Sequence, residues 1–147
     1  MRGFAAIGLS TPKSSINVGS ALRAAECYGA AMVATSGRRY SKALTDTVKS
    51  FRRLPLIQCD DLRMVIPYDC VPVAVDLVEG AESLFEYKHP PRAFYIFGPE
   101  DGTLGRQTLD WCRETIYVPT KGCMNLAATV NVVLYDRLMK SSRVKEA

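Results

Sequence analysis

Short apolar runs alternate along this chain with segments of helical period, and the breaks between them are rich in glycine, proline and aspartate. Residues 4–9 (FAAIGL), 30–34, 56–57, 71–78 (VPVAVDLV) and 93–97 (AFYIF) read as strands, the last being the most strongly β-branched and aromatic. The run at 71–78 is apolar on both faces apart from Asp76, the pattern of a buried parallel strand, and Gly80 closes it. Between these runs, Leu22, Ala25 and Tyr28 give residues 18–28 a helical face, with Asn17 as N-cap and Gly29 as C-terminal stop. Ala43, Leu44, Val48 and Phe51 predict a helix over 41–51, and residues 62–66, 81–87 and 108–113 fit shorter helical pieces. Asp60, Asp61 and Asp69 suit caps and turns.

The chain is organised around residues 115–136. Ile116, Tyr117 and Val118 form a strand that Pro119 ends, Gly122 allows a tight turn, and Asn125 opens an apolar helix. From Leu126 to Leu138 apolar residues fall on nearly every face, so this helix is expected against both the sheet and a second subunit. Strands alternating with helices predict an α/β domain with a mostly parallel sheet flanked by helices, whose ligands approach the carboxyl ends of the strands. Neither GxGxxG nor GxxxxGK[ST] occurs, so a Rossmann dinucleotide site and a P-loop find no support.

Composition narrows the class. At 147 residues and 48% hydrophobic, the chain fits one domain, 1–147, with a real core. No run approaches membrane-spanning length and the start lacks a signal-peptide pattern, so a cytoplasmic address is expected. The 5 cysteines are odd in number and form no CxxC pair, which argues against a disulfide framework and against a metal site. A net charge of +4 is compatible with a polyanionic partner. The loop Gly37-Arg38-Arg39-Tyr40 sets cations beside an aromatic ring, a combination suited either to RNA or to an ordinary solvated loop. His89, beside two prolines, reads as a loop side chain. The aromatic strand at 93–97 runs into Gly98-Pro99-Glu100-Asp101-Gly102, either a ligand-approach loop or a simple turn.

Taken together, three loops resemble the SpoU/TrmH family of RNA ribose methyltransferases, within the SPOUT class. The first carries Asn17, Gly19 and Arg23; the second Gly98, Pro99, Glu100 and Gly102; the third Val118-Pro119-Thr120, then Cys123-Met124-Asn125-Leu126 and the apolar VNVVLYD. The resemblance covers essentially the whole chain in order. It implies an α/β fold whose C-terminal helix closes a deep trefoil knot, a homodimer built through that helix, and S-adenosylmethionine held largely by main-chain groups. It further implies methylation of a ribose 2′-hydroxyl in transfer or ribosomal RNA, with transfer RNA favoured for a chain of this size. Cofactor positions carried over are Asp76 or Leu77, Gly98, Val118, and Cys123 or Met124; functional side chains are Asn17, Arg23, Glu100 and Asn125.

The chemistry asks for such residues independently. A ribose hydroxyl is a poor nucleophile until it is aligned and its proton drawn away, and an asparagine offers both a donor and an acceptor for alignment. Arg23 lies one turn after Gly19, and its guanidinium, never deprotonated, suits electrostatic activation and phosphate contact. Glu100 reads as an acceptor for backbone N–H groups more than as a base. Cys123 stands where the family commonly has serine, and the loop before Asn125 is shorter than the family's usual one. Arg38, Arg39, Tyr40, Arg52, Arg53, Lys121, Lys140, Arg143 and Lys145 form the expected RNA footprint. A base-directed methyltransferase and a non-enzymatic RNA-binding protein of the same fold are the alternatives.

Overall fold

A computed structural model describes residues 3–40 and 52–146, with side chains as far as Ser142. The helix expected over 41–51, and the footprint candidates Arg143 and Lys145, lie outside the described residues or side chains. The chain forms strands β1 (Phe4–Leu9), β2 (Val33–Ser36), β3 (Leu56–Cys59), β4 (Val71–Val75), β5 (Glu82–Ser83), β6 (Arg92–Phe97) and β7 (Glu114–Tyr117). Its helices are α1 (Ser15–Tyr28), the short α2 (Arg106–Leu109) and α3 (Leu126–Glu146). The strands make one 7-stranded sheet in the order β3-β2-β1-β6-β4-β7-β5. Every strand pairing among the described residues is parallel.

The apolar runs of β1 and β6 lie side by side at the centre, Ala5 opposite Ala93 through Leu9 opposite Phe97. Because side chains alternate across a strand, these two runs feed both faces at once. Ile7, Leu9, Tyr95 and Phe97 face α1 and α3, while Ala6, Phe94 and Ile96 meet Leu62, Cys70 and Leu104 on the other side. A sheet covered on both faces needs strands apolar on both faces, which is what these runs supply.

Several boundaries differ from the expected ones for local reasons. Helix α1 starts at Ser15, capped by Ser14, whose hydroxyl accepts from the Asn17 N–H; Asn17 is inside the helix, which frees its side chain for other partners. At the other end Gly29 adopts the left-handed conformation, and Ala30 donates back to the Ala25 carbonyl at 2.8 Å. Ala30 is thus spent on closing the helix, Ala31 donates to the Ala5 carbonyl of β1 at 2.8 Å, and β2 begins only at Val33. Strand β4 ends at Val75, so Asp76 stands in the loop beyond it. The helical piece expected over 108–113 is α2, displaced toward Arg106, and a single 3-10 turn occupies Leu62–Val65.

Helix α3 is fastened to the segment before β6 by buried polar contacts. Arg137 donates to the carbonyls of Pro90 at 2.7 Å and Pro91 at 2.9 Å and to the Tyr95 hydroxyl at 3.0 Å. Lys140 donates to the carbonyls of Leu84 and Tyr87 and pairs with Asp136. His89, expected as a plain loop side chain, is only 5% exposed and links Tyr95 (2.6 Å) to Asp136 (2.7 Å). Burial pushes the Tyr95 hydroxyl up to about 12, so it stays protonated and can donate to His89 while accepting from Arg137.

Candidate active site

In an all-parallel sheet the loops leaving the strands' carboxyl ends gather along one edge, and here those after β4, β6 and β7, with the start of α3, enclose a cavity. Its volume is about 450 Å³, within the range of small-molecule sites. Asp76, Leu77, Gly98, Val118, Cys123 and Met124, the cofactor positions expected from sequence, all line it. Leu104, which packs beneath the loop, donates its N–H to Asp76 Oδ2 at 3.3 Å, tying the loop after β4 to that after β6. Gly98 is favoured by close contact: a Cβ there would lie 3.1 Å from the Leu104 nitrogen and 3.2 Å from the Thr103 carbonyl carbon, so this backbone would have to give by a few tenths of an ångström.

Glu100 also lines the cavity and anchors its rim. Oε1 accepts the Lys13 N–H at 3.0 Å, and Oε2 accepts the Ser14 N–H at 2.8 Å and Asn17 Nδ2 at 3.3 Å. Asn17 Oδ1 in turn accepts Asn125 Nδ2 at 3.1 Å. Asn125 Oδ1 caps α3, accepting the N–H groups of Ala127 at 2.9 Å and Ala128 at 3.2 Å. One polar chain, Glu100 to Asn17 to Asn125, thus joins three loops and two helix starts. Partial burial pushes the Glu100 carboxyl up, but the N–H groups of Lys13 and Ser14 and the Asn17 amide outweigh it and hold the carboxyl below its ordinary value. It is an ionised acceptor at neutral pH, a poor general base.

Arg23 is not part of this chain. It sits on the exposed side of α1, and among the described residues it has no hydrogen-bond or ion-pair partner. Sequence reasoning missed the backbone donors of Lys13 and Ser14, and also Thr103, Tyr117 and Thr129 of the cavity wall. The one local signal for the first pair is Ser14 standing three residues before Asn17, the spacing of a capping serine.

Much of the expected RNA footprint is otherwise engaged. Tyr40 is buried, its hydroxyl bonded to Thr35 Oγ1 and Gln58 Nε2, each at 2.9 Å, so it offers no stacking face to a base. Arg39 forks onto Asp101, Arg53 pairs with Glu26, and Lys140 serves α3. Arg38 and Lys121 stay exposed, and Lys121 lines the cavity.

The model of the SpoU rRNA Methylase family matches residues 5–135. The chain belongs to that family. No curated protein matches it by sequence. Among solved structures it resembles the SpoU methyltransferase AviRb from Streptomyces viridochromogenes in complex with AdoMet, at TM-score 0.82 and 19% identity over 97% of this chain and 62% of that one. It also resembles a structure described by the 2-OH methylation of C/U34 on tRNA, at TM-score 0.82 and 20% identity over 95% of this chain and 97% of that one. A third is the A. aeolicus TrmH/SpoU tRNA modifying enzyme, at TM-score 0.83 and 13% identity over 96% and 77%. The SpoU chain described here therefore spans less than two thirds of the AviRb chain and nearly all of the tRNA one.

The SpoU cavity suits S-adenosylmethionine on its own terms. Its carboxylates are drawn away, Asp76 toward the Leu104 N–H and Glu100 toward Lys13, Ser14 and Asn17. What remains is largely apolar side chain and main chain around Gly98, where no Cβ stands in the way. Methyl transfer disperses the positive charge of a sulfonium, so a wall that does not clamp that charge favours the transition state.

Proposed function

We propose that this SpoU protein methylates a ribose 2′-hydroxyl of RNA with S-adenosylmethionine. The reading is carried by one observation: the Glu100–Asn17–Asn125 chain borders a cavity lined by every cofactor position the family pattern supplies. When bound, the cofactor supplies an electrophilic methyl group. Asn17 and Asn125, held from both sides, align the hydroxyl, and Glu100 keeps the loop of Lys13 and Ser14 in place. Arg23 lowers the pKa of the hydroxyl and grips the adjacent phosphate, the proton leaving to phosphate or water. Forming the oxygen–carbon bond breaks the sulfur–carbon bond, and the uncharged thioether departs.

Transfer RNA is the proposed substrate, because the relative matched along nearly its whole length is described by methylation of a tRNA ribose. A homodimer through α3 is proposed with it. Val132 and Tyr135 on α3 and Ile16 on α1 are exposed apolar side chains, and Tyr135 stacks edge-on against Tyr28 of α1 at 6.4 Å, a ready apolar face for a second copy. The trefoil knot is proposed on family grounds. A cytoplasmic address is proposed on the odd number of cysteines and the lack of a CxxC pair.

The deciding experiment is transfer of labelled methyl from S-adenosylmethionine to unmodified tRNA and rRNA, followed by alkaline hydrolysis. Label in an alkali-resistant dinucleotide establishes ribose methylation, since alkali requires a free 2′-hydroxyl. Label released as mononucleotide moves the target to a base, and failure to bind the cofactor removes the enzymatic reading.

A further inference from the structure

Arg39 reaches over the carboxyl edge of the sheet. Its Nη1 meets Asp101 Oδ1 at 3.1 Å and its Nη2 meets Oδ2 at 2.6 Å, while Nη1 also approaches the Thr11 carbonyl at 3.5 Å. One side chain thus bridges the loop after β2, the loop after β1 and the loop after β6. Thr11 is held on its other side by Ser36 Oγ, which accepts its N–H at 3.1 Å. Its φ of 44° lies in the left-handed region, which a β-branched residue keeps only when its surroundings impose it. Two residues on, the same loop presents the N–H groups of Lys13 and Ser14 to Glu100.

We propose that the Arg39–Asp101 pair is a positioning clamp that holds the turn carrying Glu100, and through it Asn17 and the start of α1, and that Arg39 is not a phosphate ligand. Adjacent acids on one turn are committed in opposite directions, Glu100 to the loop after β1 and Asp101 to the loop after β2. If the turn rotates, both contacts are lost together. The pair is 40% and 46% exposed, so its contribution to global stability is small; what a forked arginine–carboxylate contact adds is orientation. A phosphate seeking Arg39 would first have to displace Asp101. The catalytic consequence rests on the methyltransferase reading, whereas the clamp itself does not.

The test uses Arg39→Ala, Asp101→Asn and the double variant. Amide exchange is followed at Lys13 and Ser14, and kcat and KM are measured on whichever RNA the wild type methylates. A clamp predicts faster exchange at both amides in each variant and melting close to wild type. It also predicts kcat lowered by about tenfold or more with KM nearly unchanged, and a double variant no worse than either single one. Arg39→Lys, which keeps the charge and loses the fork, recovers only part of kcat. Unchanged exchange in both single variants overturns the clamp. So does the pattern of a phosphate ligand: KM raised in Arg39→Ala, and RNA held more tightly in Asp101→Asn, where the guanidinium has been freed. A wild type that methylates no RNA defeats the proposed activity, and amide exchange then decides the clamp alone.

Discussion

Asn125 donates its side-chain N–H to Oδ1 of Asn17 at 3.1 Å, across 108 positions of chain. The same Asn125 caps α3 through its other side-chain atom, so one residue couples the start of the last helix to the first. The two roles separate by substitution. Asn125→Ala loses both and should cost about 1 kcal/mol of stability through the cap alone. Asn125→Ser keeps a capping oxygen but has no amide to reach Asn17, so it should melt near wild type while methyl transfer falls. Equal activity in the serine variant would leave the Asn17 contact without a catalytic role.

Glu100 is held ionised by the donors around it, which fixes its pH behaviour. A carboxyl whose folded pKa lies below its unfolded value of about 4.5 contributes stability that is fully present above that value and lost as pH falls through the folded one. It therefore cannot supply a titration near neutrality. The pH–rate profile of Glu100→Gln should keep the limbs of the wild type at a lower plateau, because Gln retains one acceptor and turns a donor toward the Lys13 or Ser14 N–H. A limb that disappears with this substitution would make Glu100 a base.

Arg23 is exposed and makes no hydrogen bond or ion pair among the described residues, so its removal is a clean probe. Arg23→Ala should change stability by no more than about 0.5 kcal/mol, as for exposed positions generally. It should leave S-adenosylhomocysteine affinity at the wild-type level and abolish transfer. Calorimetric titration beside a single-turnover assay reads both. Substantial activity in the variant would move hydroxyl activation to another group.

How far the sequence leads depends on how local each signal is. The parallel sheet was legible because β1 and β6 are apolar at consecutive positions, which only a doubly covered strand tolerates. Asn17, Glu100 and Asn125 were legible as residues in a pattern, but not as a hydrogen-bonded chain, since the contacts run between loops far apart in sequence. Tyr40 misled: beside two arginines it suggests a stacking face, and the partners that bury it, Thr35 and Gln58, belong to β2 and β3. The pairing of Arg39 was illegible for the same reason, its carboxylate lying 62 positions away. Expected boundaries slipped wherever a cap consumed residues, as at Ser14 and at Ala30.

Cys123 is exposed and lines the cavity, which makes it a reporter for occupancy. Alkylation of Cys123 should slow in the presence of S-adenosylhomocysteine, while the exposed Cys27 of α1 continues to react at its own rate. Peptide mapping by mass spectrometry distinguishes the two. Equal protection at both sites, or at neither, would place the ligand elsewhere.

His89 gives the fold a pH dependence near neutrality. Burial holds its imidazole below the ordinary value of 6.5, against the opposing pull of the Asp136 carboxylate. Around it stand Tyr87, Tyr95 from β6, and Asp136, Arg137 and Lys140 from α3, and the two cations favour the neutral ring. Neutral His89 donates Nε2–H to Asp136 and accepts the Tyr95 O–H at Nδ1, which satisfies both nitrogens. On unfolding the ring returns to its ordinary value, so between the folded and unfolded pKa the unfolded chain carries more protons. Stability therefore rises with pH through that window and is lost as pH falls below about 6.5. Glu100 does not confuse the measurement, because its contribution changes only at lower pH. Urea unfolding from pH 7.5 down to 5.5 should show a falling midpoint in the wild type and a flatter line in His89→Gln, whose amide offers a donor and an acceptor but no proton to gain. Parallel lines for the two proteins would locate the titrating group outside this buried network.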